Sequence, residues 1–389
     1  MDHVTESNLA ERLKNLPADK VDLLLRRLKP GRRSQETGRE SNSALRPFVE
    51  SRDQNFQLIV VNPGTFDSLK FVAQPRLLPE DDQVEVEVES ACLNFRDVAL
   101  ALGIYPRPEY GFMPKFGCNG AGRVSAVGSG VTHFKVGDEV FFLSAESAFA
   151  RYTRLPHMAA FHKPPSWSFE EAAGLALPFM TAFFALLVPG RLNQGEQILI
   201  HCAAGGVGLA AIQLARTIGA EIIATAGTEE KRSYLHGLGI RHVLDSRSLE
   251  FTDRIVELTE GYGVDVILNS IPGQAIEAGF RILRNDGRFL EIGKRDLVAG
   301  RVLDLAPFSR SLTFAAIDIF GFDFKRLHPI VLEIRQAVAD GKIQPLPITT
   351  YKASQLIDAF RYMTAGKHIG RIVVQIKGEQ ILLATPHAT

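Results

Sequence analysis

A run of aliphatic residues that leads directly into a cluster of glycines constrains the fold of this chain most. Residues 197–202 contain an aliphatic run at 198–200, and residues 209–218 carry apolar side chains at helical spacing, so the glycines between them lie at a predicted strand-to-helix junction. There, a backbone without Cβ atoms approaches phosphate oxygens closely, and the helix N-terminus supplies unpaired N–H groups. The junction predicts a loop that binds a dinucleotide pyrophosphate, formed by Gly205, Gly206, Val207 and Gly208.

The tip of the next predicted strand, residues 220–226, distinguishes between the two nicotinamide dinucleotides. An acid at this tip would accept a hydrogen bond from the ribose 2′-hydroxyl and repel a 2′-phosphate. Neutral and basic residues follow the strand instead: Gly227, Thr228, Lys231, Arg232 and, after the next strand, Arg247. The pattern favours NADPH, with Thr228, Lys231 and Arg247 as its ligands. The alternative is that Lys231 and Arg232 form a solvated helix face, and Glu229 and Glu230 favour NADH if they point at the ribose.

Length and composition limit the kinds of protein that this chain can be. A chain of 389 residues with 46% hydrophobic and 23% charged residues predicts two globular domains and an appendage. Its net charge is zero and its basic residues form no stripe, so we expect neither nucleic acid nor a membrane as partner. Three scattered cysteines without a disulfide pattern favour a reduced, cytoplasmic location.

The residue pattern changes three times along the chain. Residues 1–50 carry two short leucine stripes and then a polar linker, which predicts a helical hairpin that docks on a partner or packs on its own domain. Residues 51–180 contain short strands separated by turn glycines, typical of an antiparallel barrel. Residues 181–319 alternate strand and helix, as in a doubly wound parallel sheet. Residues 320–389 are expected to fold back onto the barrel.

This arrangement resembles the medium-chain dehydrogenase/reductase superfamily. Several strings resemble, more narrowly, the enoylreductase domains of polyketide and fatty acid synthases: LNFRDV at 93–98, ALGIYP at 101–106, AAGGVG at 203–208 and GRFLEIGKRD at 287–296, with Asn269 and Ser270. The resemblance implies an α/β fold with a GroES-like barrel and a Rossmann domain. It also implies NADPH-dependent reduction of an enoyl thioester on an acyl carrier protein. The hairpin is not part of a bare enoylreductase fold and resembles the docking helices of modular synthases, so docking to a synthase through residues 1–30 is expected.

Zinc-dependent members of this superfamily carry a His-Glu pair where this chain has Cys118 and Asn119, and no four-cysteine lobe is present. We therefore predict no metal site. The rival hypotheses are a zinc-free quinone oxidoreductase and a non-catalytic scaffold that binds the cofactor. His201, inside the predicted strand, is expected to be a core or cofactor-lining histidine.

Enoyl reduction needs a hydride for the β-carbon, stabilisation of the developing enolate and a proton for the α-carbon. Lys294 follows the predicted strand 288–292 at the carboxyl edge of the sheet, and Asp318 lies on the next predicted strand, 312–318, where it can orient Lys294. The resemblance assigns the same Lys–Asp pair near the nicotinamide. A structural salt bridge is the alternative.

Tyr105 is the second candidate proton donor, and an aromatic wall of the acyl tunnel is its alternative role. The resemblance places a tyrosine at this position in the cleft and associates it with one stereochemical outcome. It also implies cofactor contacts for further residues: Asn94, Asp97, Asn269, Ser270 and Gly293. For Asn269 and Ser270, which precede Pro272 and Gly273, a plain turn is equally consistent.

Overall fold

The computed structural model describes residues 46–47, 54–105, 115–320 and 324–384. The predicted hairpin and docking segment, residues 1–30, lie outside the described residues. The described chain divides into two compact units. The first runs up to Gly174 and includes Ile348–His368 and the residues from Ile372 onward, and the second comprises Leu175–Pro347 and Ile369–Arg371.

The first unit is built mainly from antiparallel strands, because its short apolar runs are separated by turn residues. Its strands are β1 (Arg46–Pro47), β2 (Gln54–Val60), β3 (Leu69–Pro75), β4 (Gln83–Leu93), β5 (Asn119–Val127), β6 (Glu139–Leu143), β7 (Tyr152–Pro156), β8 (Ala160–His162), β15 (Ile348–Lys352), β16 (Arg371–Gln375) and β17 (Leu382–Ala384). One sheet has the order β15-β16-β4-β5-β6-β8, with β7 also paired to β4, and the other has the order β1-β17-β3-β2. Its helices are α1 (Phe95–Ala101), α2 (Phe169–Ala173) and α10 (Leu356–Thr364).

Strand β4 shows where alternation in the sequence misleads. The alternation of its valines with Glu85, Glu87 and Glu89 predicts one buried face and one wet face. The valines are buried, and Glu87 and Glu89 are half-buried on the opposite face. Glu85, expected on that wet face, is fully buried. Arg76 Nε donates to its carboxylate at 3.0 Å and Ser125 Oγ at 2.6 Å. The expectation of a uniformly solvated face was wrong, because Arg76 covers this part of the sheet.

The second unit is a doubly wound parallel sheet, as the βαβ rhythm predicts. Its strands are β9 (Gln197–Ile200), β10 (Glu221–Ala226), β11 (His242–Asp245), β12 (Val264–Asn269), β13 (Leu283–Glu291) and β14 (Thr313–Ala316), in the order β11-β10-β9-β12-β13-β14. Its helices are α3 (Ala176–Leu187), α4 (Gly206–Ile218), α5 (Glu229–Gly237), α6 (Phe251–Leu258), α7 (Gln274–Ile282), α8 (Arg295–Val298) and α9 (Phe324–Ala339). The predicted α/β fold class is confirmed.

Two predicted boundaries differ from the structure. Strand β14 ends at Ala316, so Asp318 lies in the turn beyond the strand and not on it. The second unit also extends past residues 181–319, because α9 packs against α3 and both belong to it. Residues 320–347 therefore do not return to the barrel, whereas the segment from Ile348 mostly does.

Buried aliphatic and aromatic side chains hold the parallel sheet and its helices together. Leu199, Ile267 and Phe289 from three neighbouring strands are buried in one cluster. Phe280 of α7 packs on Phe289 with ring centroids 4.9 Å apart. The chain runs from β9 towards β10 on one side and resumes at β12 on the other, so the strand order reverses between β9 and β12. The carboxyl ends of the strands at such a reversal form the usual ligand crevice.

One helical stretch among the described residues, Phe169–Leu187, passes a length and hydropathy test for a membrane span. Its most apolar window is 67% buried within the protein. A core helix of a soluble protein meets the same test, so the finding is weak evidence for a span.

Candidate functional site

The glycine loop sits where the sequence predicts, at the carboxyl end of β9. Gly205 is the N-cap of α4 in an extended conformation, and no side chain caps this helix. A Cβ on Gly208 would lie 2.5 Å from Ala203 Cα and 2.6 Å from Ala203 O, so only glycine fits there. The N-terminal N–H groups and the lack of side chains fit the pyrophosphate of a dinucleotide.

A segment from the far end of the chain completes this loop. Gly370 N donates to Ala204 O at 2.9 Å, and Gly205 and Gly370 form a parallel bridge. A Cβ on Gly206 would lie 2.5 Å from Cδ of the buried Arg371. Arg371 thus brings a positive charge beside the first turn of α4. Sequence reasoning missed it, because no local signal connects residue 371 to a loop at residue 206.

Three basic residues lie near the tip of β10, and one of them, Arg232, is bound to acidic and backbone groups of the protein itself. Arg232 donates to Glu229 Oε2 at 2.8 Å and to Ala226 O at 3.2 Å, and it pairs with Asp245. It is therefore engaged within the protein, and it holds Glu229, one of the two acids that would favour NADH. Thr228 caps α5, its hydroxyl accepting a hydrogen bond from the Lys231 N–H at 3.4 Å.

Lys231 and Arg247 bring two further positive charges to this tip. Arg247 lies against Gly227, where a built Cβ would be 3.2 Å from Arg247 Nε. Burial lowers the pKa of the half-buried Lys231, and the nearby Arg247 charge lowers it further. A pair of cations next to an uncharged strand tip fits a phosphate ester on a ribose.

Lys294 and Asp318 meet at the carboxyl edge of the same sheet. Lys294 Nζ lies 3.0 Å from Asp318 Oδ2 and donates to Ile317 O at 3.0 Å. The side chains are 35% and 51% exposed, so the pair is open to a ligand. Its position follows from β13 and β14 being parallel neighbours whose ends coincide.

Asn269 and Ser270 end strand β12 beside this pair. The Asn269 amide donates to Ile271 O at 2.9 Å and to Glu291 Oε2 at 2.5 Å, and its oxygen accepts from Ile271 N at 3.1 Å. The Asn269 side chain is thus committed to the turn that carries Ser270. Its direct contact with the cofactor stays a prediction, and shaping of the turn is what the geometry provides.

Asn94 and Asp97 belong to the first unit and are buried. Asp97 accepts from the backbone N–H groups of Asn94 and Gly117, both at 2.8 Å. Burial raises the pKa of Asp97, and the nearby Arg96 charge and these hydrogen bonds oppose the rise. These contacts fix the start of α1 and the turn at Gly117. The cofactor contacts expected of Asn94 and Asp97 stay predictions.

The donors around Cys118 and Asn119 do not fit a catalytic zinc. The Asn119 amide donates to Ala173 O at 2.6 Å, and its oxygen accepts from the Asn94 amide at 2.8 Å. No group of three His, Cys, Asp or Glu side chains that could hold a metal occurs in the ranges that the structure covers. No chemical step is therefore assigned to a metal.

Tyr105 follows α1 in the first unit and is half-buried. Its backbone N–H donates to Ala99 O at 3.0 Å, as does that of Ile104 at 2.9 Å. These bonds, with Gly103 at a φ of 66°, wrap the chain around the end of α1. Residues 106–114, which follow Tyr105 in the sequence, are outside the described residues.

His201 is buried directly after β9. Its Nδ1 lies 2.9 Å from Thr225 Oγ1, and its ring packs edge-on against Phe251. Burial lowers the pKa of His201 to about 3. These surroundings fit a core histidine, which is one of the two roles expected of His201 from the sequence.

Replacing His201 with leucine is expected to make the protein less sensitive to acid. On unfolding, the ring regains its ordinary pKa of 6.5 and binds a proton that the folded state excludes until about pH 3. Above pH 6.5, His201 therefore does not reduce the free energy of unfolding. Below pH 6.5, it lowers the free energy of unfolding by up to about 1.4 kcal/mol per pH unit. Urea unfolding of His201→Leu, wild type and the half-buried control His242→Gln at several pH values measures this. If the free energy of unfolding of His201→Leu fell with pH as steeply as that of the wild type, this prediction would be wrong.

Two family models match the chain. "Alcohol dehydrogenase GroES-like domain" covers residues 80–165, within the first unit. "Zinc-binding dehydrogenase" covers residues 206–338, within the second unit.

Curated proteins and solved structures give closer matches. The chain is 40% identical over 88% of its length to a protein of the phenolphthiocerol/phthiocerol polyketide synthase of Mycobacterium tuberculosis, but spans only 15% of that protein. It is 35% identical to the crystal structure of CurK enoyl reductase, covering 83% of this chain and 99% of that one with a TM-score of 0.76. The quinone oxidoreductase of Escherichia coli complexed with NADPH is 27% identical, covering 82% of this chain and 99% of that one with a TM-score of 0.72.

Proposed function

Because the chain belongs to the enoyl reductases of polyketide synthases, a family of medium-chain dehydrogenase/reductase oxidoreductases, we propose that it reduces the α,β-double bond of enoyl thioesters with NADPH. The observation that carries the proposal is the Lys294–Asp318 pair, 3.0 Å apart at the carboxyl edge of the sheet that also bears the glycine loop. A cofactor loop and an exposed ammonium at one crevice are what hydride addition to a polarised double bond requires.

Bound NADPH supplies the hydride for the β-carbon. The residues of the chain then have two tasks, to hold the negative charge that develops on the thioester oxygen and to protonate the α-carbon. The Lys294 ammonium, oriented by Asp318 and Ile317 O, serves the first and is also a proton source. Tyr105 is the second proton donor that we propose.

We propose an acyl carrier protein bearing an enoyl-pantetheine thioester as the partner. Support comes from the relatives, which are polyketide synthase proteins of which this chain spans about 15%. In such an assembly the substrate is a thioester on a carrier. Docking through residues 1–30 and a cytoplasmic location belong to the same proposal.

One assay separates this function from its rivals. The oxidation of NADPH is followed by absorbance with crotonyl-pantetheine or crotonyl-carrier protein, beside a simple quinone. Oxidation that depends on the thioester supports the proposal. Oxidation with the quinone alone supports a quinone oxidoreductase, the function named for a neighbour of 27% identity. Tight NADPH binding without turnover supports a scaffold.

Replacing Arg247 with alanine is expected to weaken NADPH binding by about 10- to 100-fold, because a charge-assisted hydrogen bond contributes about 1.5–3 kcal/mol. NADH binding should hardly change, since NADH lacks the 2′-phosphate. Fluorescence titration with both cofactors measures the ratio. Arg254→Ala, at an exposed arginine on α6 that pairs with Glu257, is the matched control. Equal loss for both cofactors would contradict the assignment.

A further inference from the structure

A buried carboxyl group lies at the end of β13, and no part of the proposed reaction is assigned to it. Glu291 is only 3% exposed. Its Oε1 accepts a hydrogen bond from Gly293 N and its Oε2 accepts one from the Asn269 amide, both at 2.5 Å. The carboxyl group thus joins the turn that follows β12 to the turn that follows β13.

Each of these turns carries a residue of the proposed site. The Asn269 side chain fixes the turn containing Ser270 through both of its bonds with Ile271. The Gly293 bond fixes the turn that leads to Lys294. A Cβ on Gly293 would lie 2.6 Å from Glu291 Oε1, so the close approach of this turn to the carboxyl needs glycine.

Backbone hydrogen bonds extend the connection to the third strand. Ile292 N donates to Asn269 O at 2.9 Å, and Ile317 N donates to Glu291 O at 2.8 Å. Ile317 O in turn accepts from Lys294 Nζ. The ends of β12, β13 and β14 therefore meet around Glu291, and the ammonium of Lys294 is anchored to the same assembly.

Both groups that contact the Glu291 carboxyl, the Gly293 backbone N–H and the Asn269 side-chain amide, are N–H donors. An ionised carboxylate offers a strong acceptor to each of them, whereas protonation leaves only a weak acceptor on the hydroxyl oxygen, and an amide replaces one acceptor with an N–H donor. Burial raises the pKa of Glu291 to about 7. The Asp296 carboxylate adds to the rise, whereas the bonds from Asn269 and Gly293 and the Lys294 charge oppose it. Asp318, beyond β14, pairs with Lys294.

We propose that Glu291 is a positioning residue whose ionised carboxylate holds the turns of Ser270 and Lys294 in place, so that turnover depends on its ionisation. The part concerning turnover rests on the proposed function. Protonation would weaken one of the two bonds and loosen the turn that it holds. Glu291 itself touches neither substrate nor cofactor in this proposal.

Glu291→Gln tests the proposal, because it keeps the size of the side chain and removes one acceptor. Three quantities are measured: hydrogen exchange of peptides spanning residues 268–273 and 290–298, the affinity for NADPH by fluorescence, and kcat and KM for crotonyl-pantetheine between about pH 5.5 and pH 9. The control is Glu196→Gln. Glu196 is a mostly buried carboxylate at the opposite edge of this sheet, where it binds Arg288 at 2.6 Å.

We expect faster exchange in the two peptides, weaker NADPH binding and, at about pH 8, a kcat lowered by about 100-fold, since misplacement by about 1 Å costs that much. Wild-type kcat should fall as the pH drops below about 7, while Glu291→Gln stays low and flat. The kcat of Glu196→Gln should fall below about pH 7 as that of the wild type does.

Two results would overturn the proposal. The first is that Glu291→Gln exchanges its amide hydrogens as slowly as the wild type and its kcat falls at acidic pH as in the wild type. The second is that its exchange is faster throughout the second unit, without a selective effect on these two peptides. If Glu291→Gln does not fold, wild-type exchange decides, because protection of residues 290–298 should rise between about pH 6 and pH 8 after correction for intrinsic rates. Absence of thioester turnover in the wild type contradicts the proposed function alone, since the exchange and affinity measurements need no turnover.

Discussion

Lys294→Ala is expected to lower kcat for the proposed thioester reduction by about 100- to 10,000-fold, the range for loss of a positioned proton donor. The ammonium is held by Asp318 and Ile317 O at the carboxyl edge of the sheet. KM for NADPH should change little, because Lys294 is expected to act on the thioester. Steady-state kinetics with crotonyl-pantetheine measure both constants.

Tyr105→Phe in the Lys294→Ala background tests whether two donors share the proton transfer. Tyr105→Phe alone should lower the rate or change the stereochemistry at a methyl-bearing α-carbon, and the double variant should be the slowest. Lys342→Ala, at an exposed lysine paired with Asp340, is the control for loss of a surface ammonium. A double variant with the full wild-type rate would show that neither residue supplies the proton.

Gly208→Ala is expected to abolish measurable NADPH binding. The new Cβ would lie 2.5–2.7 Å from three backbone atoms of Ala203, which no side-chain rotation can relieve. The loop must shift, and overpacking of this kind costs about 1–3 kcal/mol in stability while it displaces the phosphate cradle. Fluorescence titration measures the affinity, and thermal unfolding checks that the fold survives.

Gly237→Ala is the matched control for this change. Gly237 lies in α5 of the same unit, and a Cβ there meets nothing within 4 Å. Alanine in a helix is favoured over glycine by about 0.5–1 kcal/mol, so this variant should be slightly more stable and bind NADPH normally. Normal NADPH affinity in Gly208→Ala would show that the loop does not approach the phosphates closely.

The elements that periodicity reveals were predicted well, because burial along a strand or helix leaves a local pattern. Gly205 to Gly208 at the β9–α4 junction are the clearest case. The meeting of Lys294 and Asp318 was also predictable, since consecutive parallel strands end at the same edge of a sheet.

Contacts between distant segments were not predictable from the sequence. Glu85 and Glu291 lie in strands where neither their type nor their spacing indicates burial, and their partners come from other strands. Arg232 and Lys231 are adjacent in sequence, yet only the structure shows that Arg232 is engaged by Glu229 and Asp245. The alternation of apolar and charged residues along a strand indicates that its two faces differ, but it does not show which residues of other segments cover each face.

The contact of Gly370 and Arg371 with the glycine loop has a consequence for how the protein matures. The loop at Ala204 to Gly206 is completed by residues far downstream of it in the sequence, so its final form requires closure of a very long stretch of polypeptide. During synthesis, β9 and α4 emerge long before this partner does. In the proposed function, competence to bind the dinucleotide is therefore acquired only after Gly370 and Arg371 have reached the loop.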